Sequence, residues 1–138
     1  MALTLEGTPP VALDQVDVES EPRFPTGVEE LDRVLGGGVV PGSLVLLGGA
    51  PGIGKSTLLL QICQNLRRSR PPVLYVSGEE SARQIRLRAD RLGVAGQGVL
   101  LLSETRLESI EAQIQSVRPG LVIVDSIQTL FKTDLAPA

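Results

Sequence analysis

The chain has 138 residues, a length that fits one domain, and 42% of them are hydrophobic, which is enough for a core. One cysteine and no histidine exclude an internal disulfide, a zinc site built from several cysteines and the usual general base at neutral pH. The formal net charge of −3 lacks the positive excess typical of nucleic-acid binders. No apolar run is long enough to span a membrane and the acidic N-terminus is unlike a signal peptide, so we expect a soluble cytoplasmic protein.

Charge is unevenly distributed along the chain. Residues 1–22 carry acidic residues and prolines but no basic residue, and this composition predicts a disordered acidic leader. Residues 67–91 carry seven arginines against three acidic residues. These arginines fit solvated helix faces, or a local patch that contacts DNA.

Hydrophobic periodicity predicts alternating strands and helices. Short apolar runs predict four strands, at residues 43–47, 73–76, 99–102 and 121–124. Apolar residues at helical spacing predict the intervening helices, at residues 55–68, 81–92 and 107–117. This alternation is typical of right-handed βαβ units, so we expect an α/β fold with a parallel sheet flanked by helices.

Two helices carry further local signals. Thr26 and Glu29 have the spacing of a capping box ahead of a short helix that ends near Gly36. In the helix at residues 81–92, apolar residues recur on one face, which we expect to point inward: Ala82, Ile85, Ala89 and Leu92.

Residues 49–56 match the P-loop pattern at every fixed position, between a predicted buried strand and a predicted helix. Glycines let backbone amides wrap a phosphate, and the helix N-terminus favours the same anion. Lys55 would place its charge on the β- and γ-phosphates, Ser56 would offer its hydroxyl to Mg²⁺, and Thr57 would face the α-phosphate. The motif therefore predicts binding of ATP with Mg²⁺ through Gly49, Ala50, Pro51, Gly52, Ile53, Gly54, Lys55, Ser56 and Thr57.

An aspartate ends the last predicted strand. Asp125 follows the apolar run at residues 121–124, and an aspartate in this position typically holds the Mg²⁺ hydration shell opposite the P-loop hydroxyl. The alternative is that Asp125 caps the next turn. Gln128 follows three residues later and is a candidate to contact the γ-phosphate or the attacking water, or else is a solvent-exposed amide.

Glu79 and Glu80 follow the predicted strand at residues 73–76. Parallel strands end at the same edge of a sheet, so we expect these carboxylates near the phosphates. One of them could orient or deprotonate the attacking water, and we favour Glu79 over Glu80. Alternatively, both only stabilise the N-terminus of the next helix electrostatically.

Five segments together resemble the ATPase core of the bacterial RadA (Sms) family of RecA-like DNA-repair ATPases. They are Pro25–Asp32, Leu35–Gly38, Gly48–Thr57, Val76–Ser81 and Val124–Thr129. The resemblance covers residues 24–133 and implies a RecA-like P-loop NTPase that hydrolyses ATP, with Glu79 as the catalytic glutamate. It also implies a DNA-dependent ATPase or helicase in repair and recombination, with single-stranded DNA and a homo-oligomeric ring as partners.

The chain departs from that family's pattern. The family has a four-cysteine zinc motif before the core, whereas this chain has a single cysteine. The family also continues past the Asp125 segment with further strands, one of them central in the sheet, and with DNA-contacting loops. We therefore expect residues 23–138 to form a partial RecA-like domain with an incomplete core. Other interpretations are a KaiC-like or DnaB-like ATPase, a P-loop kinase, and a non-hydrolysing nucleotide-binding assembly module.

Overall fold

The computed structural model describes residues 9–16, 22–42 and 54–132. Its elements are a 3₁₀ turn (Leu13–Gln15), α1 (Glu29–Val34), α2 (Lys55–Leu66), β1 (Val73–Ser77), α3 (Ala82–Leu92), β2 (Val99–Ser103), α4 (Leu107–Val117), β3 (Leu121–Asp125) and a second 3₁₀ turn (Ile127–Thr129). The predicted strand at residues 43–47 and most of the predicted leader lie outside the described residues. None of the helices in the described ranges is long and apolar enough to cross a lipid bilayer.

The three strands form one parallel sheet in the order β2-β1-β3. In register, Ser77 at the end of β1 lies opposite both Ser103 of β2 and Asp125 of β3. All three strands therefore end at one edge, where sites of open α/β sheets are usually found. The expected α/β fold with a parallel sheet and flanking helices is confirmed.

The two faces of the sheet bury separate apolar clusters, because successive side chains of a strand point to opposite faces. On one face, Tyr75 and Ile123 pack with Cys63 of α2 and Ile85 of α3. On the other face, the buried cluster consists of Leu74, Val76 and Ile110, the last from α4. Every residue of β1 is buried, so this strand is the centre of both clusters.

The predicted capping box at Thr26 and Glu29 is wrong. Helix α1 starts at Glu29 with Val28 as its N-cap, and no side chain caps it. Instead, the Thr26 hydroxyl and the Thr26 amide both donate to Asp32 Oδ1, each at 2.7 Å. An ionised carboxylate is the stronger acceptor, and Asp32 offers it from the middle of the helix, so Thr26 pairs there.

Helix α3 faces the core only around its middle. Ile85 is buried and Ala89 packs against the core, as expected. The prediction was wrong for Ala82, which is exposed, and for Leu92, which is 41% exposed, because these residues stand at the two ends of the helix, beyond its contact with the sheet. The helix begins with a capping box that the sequence analysis did not identify, in which Ser81 and Gln84 satisfy each other's backbone amides.

Candidate nucleotide-binding site

The first turn of α2 lies at the carboxyl edge of the sheet and carries Lys55, Ser56 and Thr57. Gly54 is the N-cap of this helix, with a left-handed φ of 65°. A Cβ at Gly54 would meet nothing within 4 Å, so the positive φ, and not lack of space, favours glycine there. The other predicted loop residues, Gly49, Ala50, Pro51, Gly52 and Ile53, lie outside the described residues.

Asp125 is the point on which the site converges. Lys55 Nζ lies 3.1 Å from Asp125 Oδ1, and the Ser56 hydroxyl donates to Asp125 Oδ2 at 3.2 Å. The side chains of Lys55 and Asp125 are only 18% and 13% exposed, so solvent screens this ion pair weakly. The structure thus brings together three of the predicted site residues, Lys55, Ser56 and Asp125. Neither of these contacts of the Asp125 side chain is a cap of the turn that follows it.

Tyr75 is a third partner of Asp125, which the sequence analysis missed. Its hydroxyl donates to Asp125 Oδ2 at 3.3 Å, and the side chain has no solvent exposure. Burial, followed by the negative charge of Asp125, raises the pKa of Tyr75 above its ordinary value, so the hydroxyl stays a neutral donor. The signal in the sequence was a tyrosine hydroxyl within the apolar run at residues 73–76, two residues before the strand ends at Ser77.

The two adjacent glutamates after β1 have different surroundings. Arg88 of α3 holds Glu80 through a bidentate ion pair, with Arg88 Nη1 2.9 Å from Glu80 Oε1 and a second bond from Nη2 to Oε2. Hydrogen bonding to Glu80 raises the pKa of Arg88 above its ordinary value. Glu79 is exposed, and within the described ranges its side chain makes no hydrogen bond or ion pair. Glu80 therefore fixes the turn, whereas the Glu79 carboxylate is unpaired among the described residues.

The turn after β1 contacts the segment after β3. The Gly78 amide donates to the Asp125 carbonyl at 3.2 Å, and a Cβ at Gly78 would lie 2.0 Å from Thr129 Oγ1. Only glycine lets these two segments approach so closely. Gln128, in the same 3₁₀ turn as Thr129, is exposed, and its side chain has no hydrogen bond to any residue that the structure describes.

The donor chemistry of this edge fits a magnesium–polyphosphate ligand. Lys55 supplies one cation, while Ser56 and Asp125 supply hard oxygen donors. Among the described residues, no cluster of three or more acidic, histidine or cysteine side chains could hold a metal alone. Mg²⁺ needs no such cluster, since proteins usually bind it through one or two carboxylates together with substrate phosphates and water.

Comparisons with known proteins agree with this arrangement. A family model described as "AAA domain" matches residues 8–135. Proteins named DNA repair protein RadA are similar to this chain: that of Halalkalibacterium halodurans is 54% identical and that of Bacillus subtilis 53% identical, each over 94% of the chain. The protein of that name from Streptococcus pneumoniae is 51% identical over 99% of the chain. The chain spans 28% to 32% of the length of these relatives. The resemblance predicted from the five segments is confirmed.

Proposed function

This chain belongs to the AAA domain family, and from that membership we propose that it is the ATP- and Mg²⁺-binding part of a RadA-like DNA-repair ATPase. The observation that carries the proposal is the convergence of Lys55 and Ser56 on Asp125, at 3.1 and 3.2 Å, at the carboxyl edge of a parallel sheet. A lysine, a hydroxyl and a carboxylate are the side chains with which P-loop enzymes hold a nucleoside triphosphate and its metal.

Each residue has a distinct role in this proposal. Lys55 binds the β- and γ-phosphates, which requires its ammonium to leave Asp125. Ser56 and Asp125 hold the metal, and bound Mg²⁺ would neutralise charge on the phosphate oxygens. Glu79 orients or deprotonates the attacking water, since Glu80 is already paired with Arg88. Gln128 is exposed next to the site and would contact the γ-phosphate or the water.

DNA is the proposed macromolecular partner, because the similar proteins carry the name DNA repair protein. We further propose that the whole protein hydrolyses ATP in response to single-stranded DNA, assembles as a homo-oligomeric ring and acts in the cytoplasm. The chain spans about a third or less of its relatives' length, and we propose that in the whole protein a neighbouring subunit completes the charge stabilisation around the γ-phosphate. Comparing ATPase rates with and without single-stranded DNA separates this function from a non-hydrolysing assembly module.

Calorimetric titration with ATP and Mg²⁺ tests the nucleotide site directly. Replacing Lys55 with alanine (Lys55→Ala) should abolish measurable binding, because Lys55 is the lysine that contacts Asp125 at the sheet edge. Lys132→Ala is the matched control, since Lys132 is the other lysine of the chain and is exposed. The control should bind like the unchanged protein. An affinity of Lys55→Ala within a factor of about two of the unchanged protein, which is roughly 0.4 kcal/mol, would refute the proposed site.

A further inference from the structure

Tyr75 has a buried hydroxyl whose use is not explained by packing. The side chain lies among Leu59, Cys63 and Ile85 in the cluster under α2, where an aliphatic or phenylalanine side chain would also be buried. Among the described residues, the hydroxyl bonds only to Asp125 Oδ2. A buried hydroxyl without a partner would be destabilising, so its presence points to a role for this contact.

The partners of Asp125 differ in what the nucleotide would do to them. Lys55 contacts Oδ1, while Ser56 and Tyr75 contact Oδ2. In the proposed function, Lys55 turns to the phosphates and Ser56 turns to the metal. Tyr75 is the one partner of the three that the nucleotide does not need. It is also held rigidly, since β1 is buried along its whole length.

We propose that Tyr75 is a positioning residue for Asp125, which holds the carboxylate by Oδ2 so that Oδ1, once released by Lys55, faces the Mg²⁺. This inference rests on the proposed function. Tyr75, which lies in the sheet interior and outside the phosphate loop, would then be a determinant of metal affinity. Residues that hydrogen-bond to a metal ligand, without binding the metal themselves, commonly contribute a factor of about 10 to 100 to metal affinity.

The strand register explains why a tyrosine is needed. Tyr75 lies opposite Ile123, so Asp125 is two residues further along β3 on the same face. A residue at position 75 reaches Asp125 only with a long side chain that ends in a donor. Phenylalanine would keep the ring packing and remove only the donor, so Tyr75→Phe isolates the contact.

The test is the Mg²⁺ affinity of the protein saturated with a non-hydrolysable ATP analogue, measured by calorimetry. Tyr75→Phe should weaken Mg²⁺ binding by about 10- to 100-fold. Its affinity for the analogue in EDTA should change much less, because the Tyr75 hydroxyl makes no hydrogen bond to Lys55 or Ser56 among the described residues. Cys63→Ala, a change in the same buried cluster without contact to Asp125, should leave the Mg²⁺ affinity unchanged.

The outcomes separate this inference from the proposed function. If the unchanged protein binds no analogue, the proposed function fails. If it binds Mg²⁺ and analogue, and Tyr75→Phe binds Mg²⁺ equally well, the positioning role is refuted. If Tyr75→Phe loses as much affinity for the metal-free analogue as for Mg²⁺, the core has loosened in general and the positioning role is refuted. An equal loss of Mg²⁺ affinity in Cys63→Ala would refute it in the same way.

A second measurement tests the unchanged protein first, before any variant is compared. Tyr75 is the only tyrosine of the chain, so labelling with 3-fluorotyrosine gives one ¹⁹F resonance that reports this site alone. With the analogue already bound, Mg²⁺ should shift that resonance in the unchanged protein. In Asp125→Asn the shift should be lost. If Mg²⁺ does not shift the resonance of the unchanged protein, the proposal is contradicted.

Discussion

The neighbouring residues Glu79 and Glu80 should respond in opposite ways to the same substitution. Glu80→Gln should lower stability and leave turnover largely intact, because the Glu80 carboxylate is held by Arg88 in a bidentate ion pair. Glu79→Gln should leave stability unchanged and reduce the turnover of the whole ATPase by at least about 100-fold, the lower end for loss of a general base. The two variants are matched controls for each other, since they differ by one position.

The size of the stability effect follows from the burial of the ion pair. The side chains of Arg88 and Glu80 are 26% and 23% exposed, and the contact is bidentate. An exposed pair contributes about 0–1 kcal/mol, and breaking a fully buried pair costs about 3–5 kcal/mol. For this intermediate pair we expect Glu80→Gln and Arg88→Met each to lower the free energy of unfolding by about 1.5–3 kcal/mol, as for hydrogen bonds to charged groups.

Urea unfolding followed by circular dichroism measures these changes, and a double-mutant cycle tests their common cause. Because Glu80→Gln and Arg88→Met remove the same pair, the double variant should cost about as much as either single change. Glu79→Gln should lie within about 0.5 kcal/mol of the unchanged protein, as is usual for surface substitutions. Additive losses, or a stability loss in Glu79→Gln with full turnover, would refute the division of roles.

Two further predictions concern the buried interior. Gly78→Ala should lower the free energy of unfolding by about 1–3 kcal/mol, because its Cβ would meet Thr129 Oγ1 at 2.0 Å. Gly96→Ala, where a Cβ meets nothing within 4 Å, is the control and should be neutral within about 0.5 kcal/mol in urea unfolding. Burial raises the pKa of the Cys63 thiol from 9.0 to about 12, so the folded state keeps a proton that the unfolded state loses first as the pH rises. The protonated thiol makes its full contribution to the free energy of unfolding below pH 9. That contribution falls between pH 9 and 12 by up to about 1.4 kcal/mol per pH unit. Urea unfolding at pH 8 and pH 10 should show this fall in the unchanged protein and a smaller one in Cys63→Ala; equal falls would contradict it.

The sheet was predictable from sequence because its strands are apolar runs bounded by proline, glycine or polar residues. The strand predicted at residues 73–76 extends one residue further, to Ser77. The prediction stopped at Val76 because the next residue, Ser77, is polar. In the structure the strand continues, because Ser77 pairs with Asp125 of β3. The proximity of Lys55, Ser56 and Asp125 also followed from sequence, since parallel strands end at a common edge. The roles of Lys55, Ser56 and Asp125 in binding nucleotide and metal stay predictions.

Two of the contacts that the sequence analysis missed are tertiary. Neither the Tyr75–Asp125 contact nor the Glu80–Arg88 pair follows from residue spacing within one element, because each depends on how strands register or where α3 packs.

The position of β3 has a consequence for the nascent chain as it leaves the ribosome. β1 is fully buried between β2 and β3, yet both neighbours follow it in the sequence. Chains are synthesised from the N-terminus and begin to fold in that order. β1 therefore lacks β2 until residue 103 has been added and lacks β3 until residue 125 has been added, and Asp125 joins Lys55 and Ser56 only then. In the proposed function, the metal would therefore bind only to chains in which β3 has already paired with β1, because Asp125 ends β3.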